Sequence, residues 1–273
     1  EDHVYILGTI RNTSGFLGWQ LKRFNTSGTE NATWNITANI SGGFGGSPNA
    51  IAIDSEDSVY IVGDATNVYN STSGLDWVIR KYYRNASSDP DWNKTFDGAD
   101  AQDSAQSVAV DSEDNVYIVG YATHIINGTT QNDWWVKKFN KTGVENFTWN
   151  FTYDQNNRTG SVGDFAEDVA IDSEDSVYVV GEVDGYEWMI KKWYRNATED
   201  TQNWNITIEA REEATTVESL AIDSNDNVYV AGKGWFHAWK VRKFSKNGAE
   251  DVGNWNLTFN QGSAVPNSIA IDS

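Results

Sequence analysis

The chain has 273 residues, 39 of them Asp or Glu against 20 Lys or Arg, for a formal net charge of −19, and it contains no cysteine. So acidic a balance argues against DNA or RNA as a partner, because neutralising phosphates requires clustered cations and a positive surface field. No disulfide or thiolate metal site can form, and no apolar run approaches the roughly 18–20 residues that cross a bilayer. Glu1 is neither an initiator Met nor the start of a signal peptide, so the chain reads as a mature product or an excised segment.

Taken in chain order, one string keeps returning. It opens in part as EDHVYILG (Glu1 to Gly8). It then stands complete as AIAIDSEDSVYIVG (Ala50 to Gly63), SVAVDSEDNVYIVG (Ser107 to Gly120), DVAIDSEDSVYVVG (Asp168 to Gly181) and SLAIDSNDNVYVAG (Ser219 to Gly232), and the chain ends on SIAIDS (Ser268 to Ser273). Joined end to start, the two partial copies make a fifth. Tyr5, Tyr60, Tyr117, Tyr178 and Tyr229 are 55, 57, 61 and 51 residues apart, and the step from Tyr229 through the end back to Tyr5 is 49, which accounts for all 273.

Each copy predicts two short strands around an Asp-Ser turn, since runs such as Ile51-Ala52-Ile53 and Val59-Tyr60-Ile61-Val62 are β-branched and aromatic and have no helical period. A third strand follows, led by Trp19, Trp77, Trp134, Trp188 or Trp239 and ending in a basic pair and an aromatic. A fourth carries Trp-Asn-x-Thr from Trp34, Trp92, Trp149, Trp204 and Trp255. Four antiparallel strands in about 55 residues, five times over, is the content of a β-propeller blade. The fold class is all-β, with repeat units at about 1–46 plus 265–273, 47–104, 105–165, 166–216 and 217–264 of one domain.

The order W-x-V-K-K-F, N-x-x-G, W-N-x-T and A-I-A-I-D-S-x-D-N-V-Y-I-x-G resembles the SBBP-type β-propeller repeat and is more distantly similar to NHL repeats. The family usually has Gly in the turn after Asp-Ser, where this chain has Asp2, Asp57, Asp114, Asp175 and Asp226. Asp tolerates the left-handed conformation better than most residues. The resemblance implies strands a to d running outward from a central axis and a frequently extracellular setting, with no single activity. On that lettering SIAIDS is strand a and HVYILG strand b of one blade. A 1+3 clasp is therefore expected, with the C-terminal strand a joining N-terminal strands b to d and closing the ring. The competing expectation is a slice of a longer repeat array.

The a–b turns hold 14 of the 39 acidic residues. Their preferred reading is a tight turn in which Asp54 and its equivalents cap their own backbone. The alternative is weak, shared divalent cation binding, and no built metal site or other cofactor is expected. The basic pairs Lys22-Arg23, Arg80-Lys81, Lys137-Lys138, Lys191-Lys192 and Arg242-Lys243 point to opposite sheet faces and are expected to pair with acidic neighbours. Ten of the 13 Trp occupy repeated positions and read as blade-to-blade packing. The variable b–c loops carry Phe16, Tyr69, Tyr121, Tyr186 and Trp235, the candidate carbohydrate-binding aromatics.

No catalytic residues are expected: His3, His124 and His237 share no spacing, and the carboxylates of the d–a loops (Asp97, Asp100, Asp103, Asp154, Asp164, Glu209, Glu212, Glu213) could act only as a positioned pair. The sharper signal is Asn-x-Ser/Thr, which occurs 16 times: Asn12, Asn25, Asn31, Asn35, Asn39, Asn70, Asn85, Asn93, Asn127, Asn140, Asn146, Asn150, Asn157, Asn196, Asn205 and Asn256. Many such sites without a disulfide suggest N-linked glycans and an exported, archaeal type of surface protein. The expectation is a non-enzymatic, glycosylated extracellular module, structural or adhesive, of a cell surface, sheath or filament. Its partners would be further copies, neighbouring repeats or carbohydrate. The alternatives are a lectin and a polysaccharide hydrolase or lyase.

Overall fold

In a computed structural model of the chain, the residues described are 2–11, 17–38, 40, 46–66, 68, 74–98, 102–123, 125–126, 131–155, 163–184, 187–208, 216–234, 238–259 and 265–272. The β-branched runs pair as antiparallel meanders in five sheets. The first contains β1 (His3–Arg11), β2 (Leu17–Asn25) and β3 (Ile36–Ala38). The second contains β4 (Pro48–Ile53), β5 (Val59–Thr66), β6 (Leu75–Tyr82) and β7 (Lys94–Phe96), and the third β8 (Ser104–Val110), β9 (Val116–Thr123), β10 (Asn132–Phe139) and β11 (Phe151–Tyr153). The fourth contains β12 (Phe165–Ile171), β13 (Val177–Val183), β14 (Glu187–Trp193) and β15 (Ile206–Ile208), and the fifth β16 (Thr216–Ile222), β17 (Val228–Lys233), β18 (Trp239–Phe244) and β19 (Leu257–Phe259). These are five blades. Their first full strands, β4, β8, β12 and β16, lie side by side and line the inside.

Alternation along a strand gives every blade two apolar faces. Val59 and Ile61 of β5 pack on the preceding blade, while Tyr60 and Val62 pack on the following one. Four such clusters join blade 1 to 2, 2 to 3, 3 to 4 and 4 to 5. The repeated Trp side chains bridge them. The indole N–H of Trp77 donates to the Tyr121 carbonyl at 2.9 Å, Trp92 to Lys141 at 3.2 Å, Trp134 to Glu182 at 3.0 Å and Trp204 to Lys246 at 3.1 Å, each in the next blade. The glycine that ends the second-strand motif makes room for this packing. A Cβ on Gly63, Gly181 or Gly232 would stand 2.9, 2.7 or 2.5 Å from the indole of Trp19, Trp134 or Trp188 in the blade before it.

The fifth interface is not made. Among the described residues β1 pairs with β2 alone and Val265–Asp272 lies in no strand, so the 1+3 clasp and ring closure expected from the sequence are not shown. Val4 and Ile6 are 52% and 54% exposed, where Val59, Ile61, Val116 and Ile118 are wholly buried. On the other side Trp239 is 37% and Phe259 42% exposed. A Cβ on Gly8 would meet nothing within 4 Å. Blades 1 and 5 thus present an uncovered left and right face of the same interface that is filled four times within the molecule.

Candidate functional site

The acidic turns are capped hairpins. Asp172 accepts the backbone N–H of Glu174 and Ser176 at 3.0 and 2.8 Å and the hydroxyl of Tyr178 at 3.1 Å, and the Lys192 ammonium lies 3.1 Å away. Asp54 with Tyr60 and Lys81, and Asp111 with Tyr117 and Lys138, repeat the unit. Burial, followed by the neighbouring carboxylate, pushes the Tyr60, Tyr117 and Tyr178 hydroxyls far up. Asp57, Asp114, Asp175 and Asp226 adopt φ of 60–61°, the left-handed turn position. Three of these acids also link blades: Ser55 donates through N and Oγ to Asp114 at 2.9 and 2.8 Å, Ser112 to Asp175 at 3.0 and 2.7 Å, and Ser173 to Asp226 at 3.0 and 2.9 Å. The carboxylates are committed to folding, and among the described residues no cluster of Asp, Glu or His could hold a metal ion.

The basic pairs divide by face. In blades 2, 3 and 4 the second member, Lys81, Lys138 or Lys192, enters the turn unit just described, and in four blades the first member meets a Glu of the c–d connection: Lys22 with Glu30 at 2.9 Å, Lys137 with Glu145 at 2.7 Å, Lys191 with Glu199 at 2.6 Å and Arg242 with Glu250 at 3.0 Å. In blade 2 the acid is replaced by Ser88, and Arg80 turns to the carbonyls of Ile79 and Lys94.

Repeat symmetry breaks on the inner strands. Each of the four described first strands carries a β-bulge, with shifts at Pro48/Ala50, Ala105/Ser107, Ala166/Asp168 and Val217/Ser219. The extra residues are Asn49, Gln106, Glu167 and Glu218, and beside them, just after the second-strand glycine, stand Asp64, Tyr121, Glu182 and Lys233. In blades 2 and 3 these residues are joined by hydrogen bonds: Ser104 Oγ donates to Asp64 at 2.6 Å, and Asn49 Nδ2 donates to Ser104 Oγ and the Ala105 carbonyl, both at 3.0 Å. In blades 4 and 5 the carboxyls Glu167, Glu182 and Glu218 lie within electrostatic reach of one another and of the Lys233 ammonium. Burial, then Glu167 and Glu218, push Glu182 up to about 8, and burial with Glu218 and Asp168 pushes Glu167 up to about 7. Burial also raises Glu218, and Lys233 opposes the rise. Asp168 is different: it ties three blades by accepting Ser107 Oγ at 2.7 Å and Ser219 Oγ and Leu220 N–H, both at 2.8 Å. This ring of half-buried, protonatable groups is the candidate site. Sequence reading passed over it, although Asn49, Gln106, Glu167, Glu218 and Asn267 occupy a varying position beside the repeated string.

Of the candidate aromatics, Phe16, Tyr69, Tyr186 and Trp235 lie outside the described residues. Tyr121 is edge-on to Phe165 at 4.8 Å within the inner ring. Among the d–a carboxylates, Asp103 and Asp164 are buried clips. Asp103 accepts the Gly98 and Thr123 amides, and Asp164 accepts the Gln155 and Asp184 amides at 2.7 and 2.9 Å. Burial raises both acids to about 6. Asp100, Glu209, Glu212 and Glu213 lie outside the described residues.

The same is true of the sequon residues Asn12, Asn39, Asn70, Asn127 and Asn157. Most of the others use Oδ1 in the fold. Asn31 and Asn146 cap a 3-10 turn through the Thr33 and Thr148 amides, both at 3.1 Å, as Asp89 does with Asp91 at 3.0 Å. Asn25, Asn85, Asn140 and Asn196 accept amides of their own turns. One residue before the outer strand, and not on it as the sequence suggests, Asn35 accepts from Gln20, Asn150 from Trp135 and Asn205 from Lys191. Asn93 and Asn256 are exposed at the same place, just before the outer strand.

The family described as "SBBP: Beta-propeller repeat" matches residues 97–127 and 209–237, each spanning a first strand, its acidic turn and a second strand. The chain carries SBBP beta-propeller repeats. No curated protein matches this repeat chain in sequence. Among solved structures it is similar to a protein of unknown function from Bacteroides caccae, with a TM-score of 0.50 and 10% identity over 96% of this chain and 86% of that one. It is also similar to an ulvan lyase of a polysaccharide lyase family, with a TM-score of 0.53 and 10% identity over 94% of this chain and 68% of that one. At these identities the likeness is one of fold. No helix among the described residues is long and apolar enough to cross a membrane.

Proposed function

We propose that this SBBP-repeat protein is a non-enzymatic structural or adhesive module of an extracellular surface, with glycans on its rim asparagines. The observation that carries the reading is how the repeated Asp, Tyr, Lys and Trp are used. In blade after blade they hydrogen-bond and pack within and between sheets, so the repetition serves assembly. The rim asparagines support the glycan component, because the residues stay largely exposed while the engaged Oδ1 fixes the side chain. Electron microscopy of native material, with glycopeptide mass spectrometry, tests the reading. Ordered arrays of bladed bodies with sugar at Asn85, Asn140 or Asn196 are expected, whereas dispersed particles with bare asparagines would refute it.

A second reading, carbohydrate chemistry at the inner ring, is favoured by one observation. Burial and neighbouring carboxyls raise Glu167 to about 7 and Glu182 to about 8, so these groups can hold and release a proton near neutrality, as a general acid or base must. Turnover of uronic-acid or neutral polysaccharides that disappears in Glu182→Gln would favour this reading. A full panel without turnover would remove it.

A further inference from the structure

We propose that the rim groove between blades 1 and 2 binds the carboxylate of an acidic sugar. The first base of the repeated pair sets the template. In blades 1, 3, 4 and 5 that base meets a carboxylate of its own blade at 2.6–3.0 Å. In blades 3 and 4 it also lies over the aromatic ring that ends the preceding blade's outer strand, Lys137 over Phe96 at 4.5 Å and Lys191 over Tyr153 at 4.2 Å. Arg80 of blade 2 has neither partner, because Ser88 stands where the Glu would be and Ala38 where the ring would be. Two changes at one interface thus open the same place.

What opens is a groove of about 450 Å³, against about 200 Å³ at the equivalent place between blades 3 and 4, where Tyr153 and Glu199 remain. A volume of that size suits a small ligand. Arg80 stands half-buried in its wall. Its Nη1 donates to the Ile79 and Lys94 carbonyls at 2.8 and 3.0 Å, which fixes the plane of the fork and leaves its other N–H groups for an acceptor. Burial lowers the guanidinium below its ordinary value, opposed by Tyr82, and among the described residues no carboxylate offsets that cost. The other charged groups of the lining are engaged, Lys81 with Asp54 at 3.4 Å, and Asp89 with the Tyr83 hydroxyl at 2.6 Å and the Asp91 amide at 3.0 Å. A ligand carboxylate on Arg80 therefore does what Glu30, Glu145, Glu199 and Glu250 do within the chain, and a guanidinium fork takes it bidentately. Beside it the hydroxyls of Thr37 and Ser88 and the amide of Asn93 are exposed, and none of these three side chains has a hydrogen-bond partner among the described residues. They can pair with ring hydroxyls, so the complementary ligand is a uronic acid and not a bare carboxylate. The groove borders the outer strand β3, away from the inner ring, and does not depend on the module reading.

Titration of the full chain, unmodified at Asn93, with methyl glucuronoside, methyl glucoside and acetate at low ionic strength tests the site, read by calorimetry and by NMR of the ligand. Saturable binding of the glucuronoside is expected, with the glucoside and acetate at least about tenfold weaker, since each lacks one half of the recognition. Ser88→Glu supplies the missing acid from the chain itself, so it should weaken glucuronoside binding at least about tenfold while the unfolding temperature stays at or above that of the wild type. Arg80→Gln should weaken it as much. No saturable binding of the glucuronoside, or binding unchanged in Ser88→Glu, overturns the site. Acetate or a glutamate-ended peptide that binds as tightly as the glucuronoside overturns the sugar assignment. The images of native material decide the module reading separately.

Discussion

Alanine scanning of the second-strand glycines converts the open seam into a measurable difference in stability. A Cβ at Gly181 would lie 2.7 Å from both the Ala166 Cα and the Trp134 indole, at Gly232 2.5 Å from Trp188 and at Gly63 2.9 Å from Trp19. The backbone on one side belongs to a hydrogen-bonded strand and the indole on the other is buried, so neither can yield readily. Overpacking of this kind costs about 1–3 kcal/mol. Gly8 has the same place in the repeat but nothing within 4 Å and no left-handed φ. There the loss of glycine's freedom in the unfolded chain should dominate, and alanine should stabilise by about 0.4–1 kcal/mol. Urea unfolding followed by Trp fluorescence, at concentrations where the chain is single, compares the variants directly. If Gly8→Ala destabilises as much as Gly181→Ala, a side chain occupies that space in solution and the seam is closed.

Other expected outcomes follow from the turn units and the inner ring. Asp172→Ala strands the buried Lys192 ammonium, the Tyr178 hydroxyl and two amides, and should cost about 3–5 kcal/mol. Asp223→Ala, which removes the Asn225 and Asn227 amide contacts at 2.9 Å and the Tyr229 contact at 3.1 Å, should cost about 1–3 kcal/mol; equal losses in chemical denaturation would contradict this ordering. Glu182 is raised to about 8 when folded, so its proton is bound more tightly in the native state. Its contribution is complete below the ordinary carboxyl range and is lost as pH rises through about 8. Stability measured by thermal unfolding should therefore fall between pH 5 and pH 8, and Glu182→Gln should flatten the decline; an unchanged slope in the variant would show that another group is responsible. Ser112→Ala removes one hydroxyl from Asp175 but leaves the amide contact, so a loss of about 0.5–1.5 kcal/mol is expected. A loss several times larger in denaturant titrations would mean that the turn relay carries more than its visible bonds.

The blades were legible in the sequence because their physics is local and repeated. The Ile-Ala-Ile and Val-Tyr-Ile-Val alternation fixes two faces per strand, and the Asp-Ser-x-Asp turn makes its own hydrogen bonds, so strand order follows from residues close in the chain. The glycine after each second strand carried a meaning that emerges only in three dimensions, because what it makes room for is a tryptophan one blade away. The inner ring was missed for a related reason. Glu167 and Glu218 enter the site through bulges, which move a side chain out of the simple two-residue alternation, and the influence of Glu218 on Glu182 joins positions in different blades.

The sequons show the opposite fault. Asn31, Asn146 and the outer-strand asparagines formed a strong pattern in the sequence, yet Asp89 performs the same capping in another blade, so much of the pattern also answers to turn chemistry. The clasp was inferred from two half-motifs that fit together. The structure shows no strand in Val265–Asp272, and Val4 and Ile6, whose equivalents Val59 and Ile61 pack on the preceding blade, are exposed.

Hydrogen exchange of β1, measured on the chain at dilution where it sediments as a single copy, tests the open seam most directly. An uncovered β1 predicts that amides in the segment His3–Leu7 exchange far faster than those of Val59–Val62, Val116–Val119 and Val177–Val180, which lie between two paired strands. Equal protection of all four segments in the single chain would contradict it, because a strand of the same molecule would then be lying on β1.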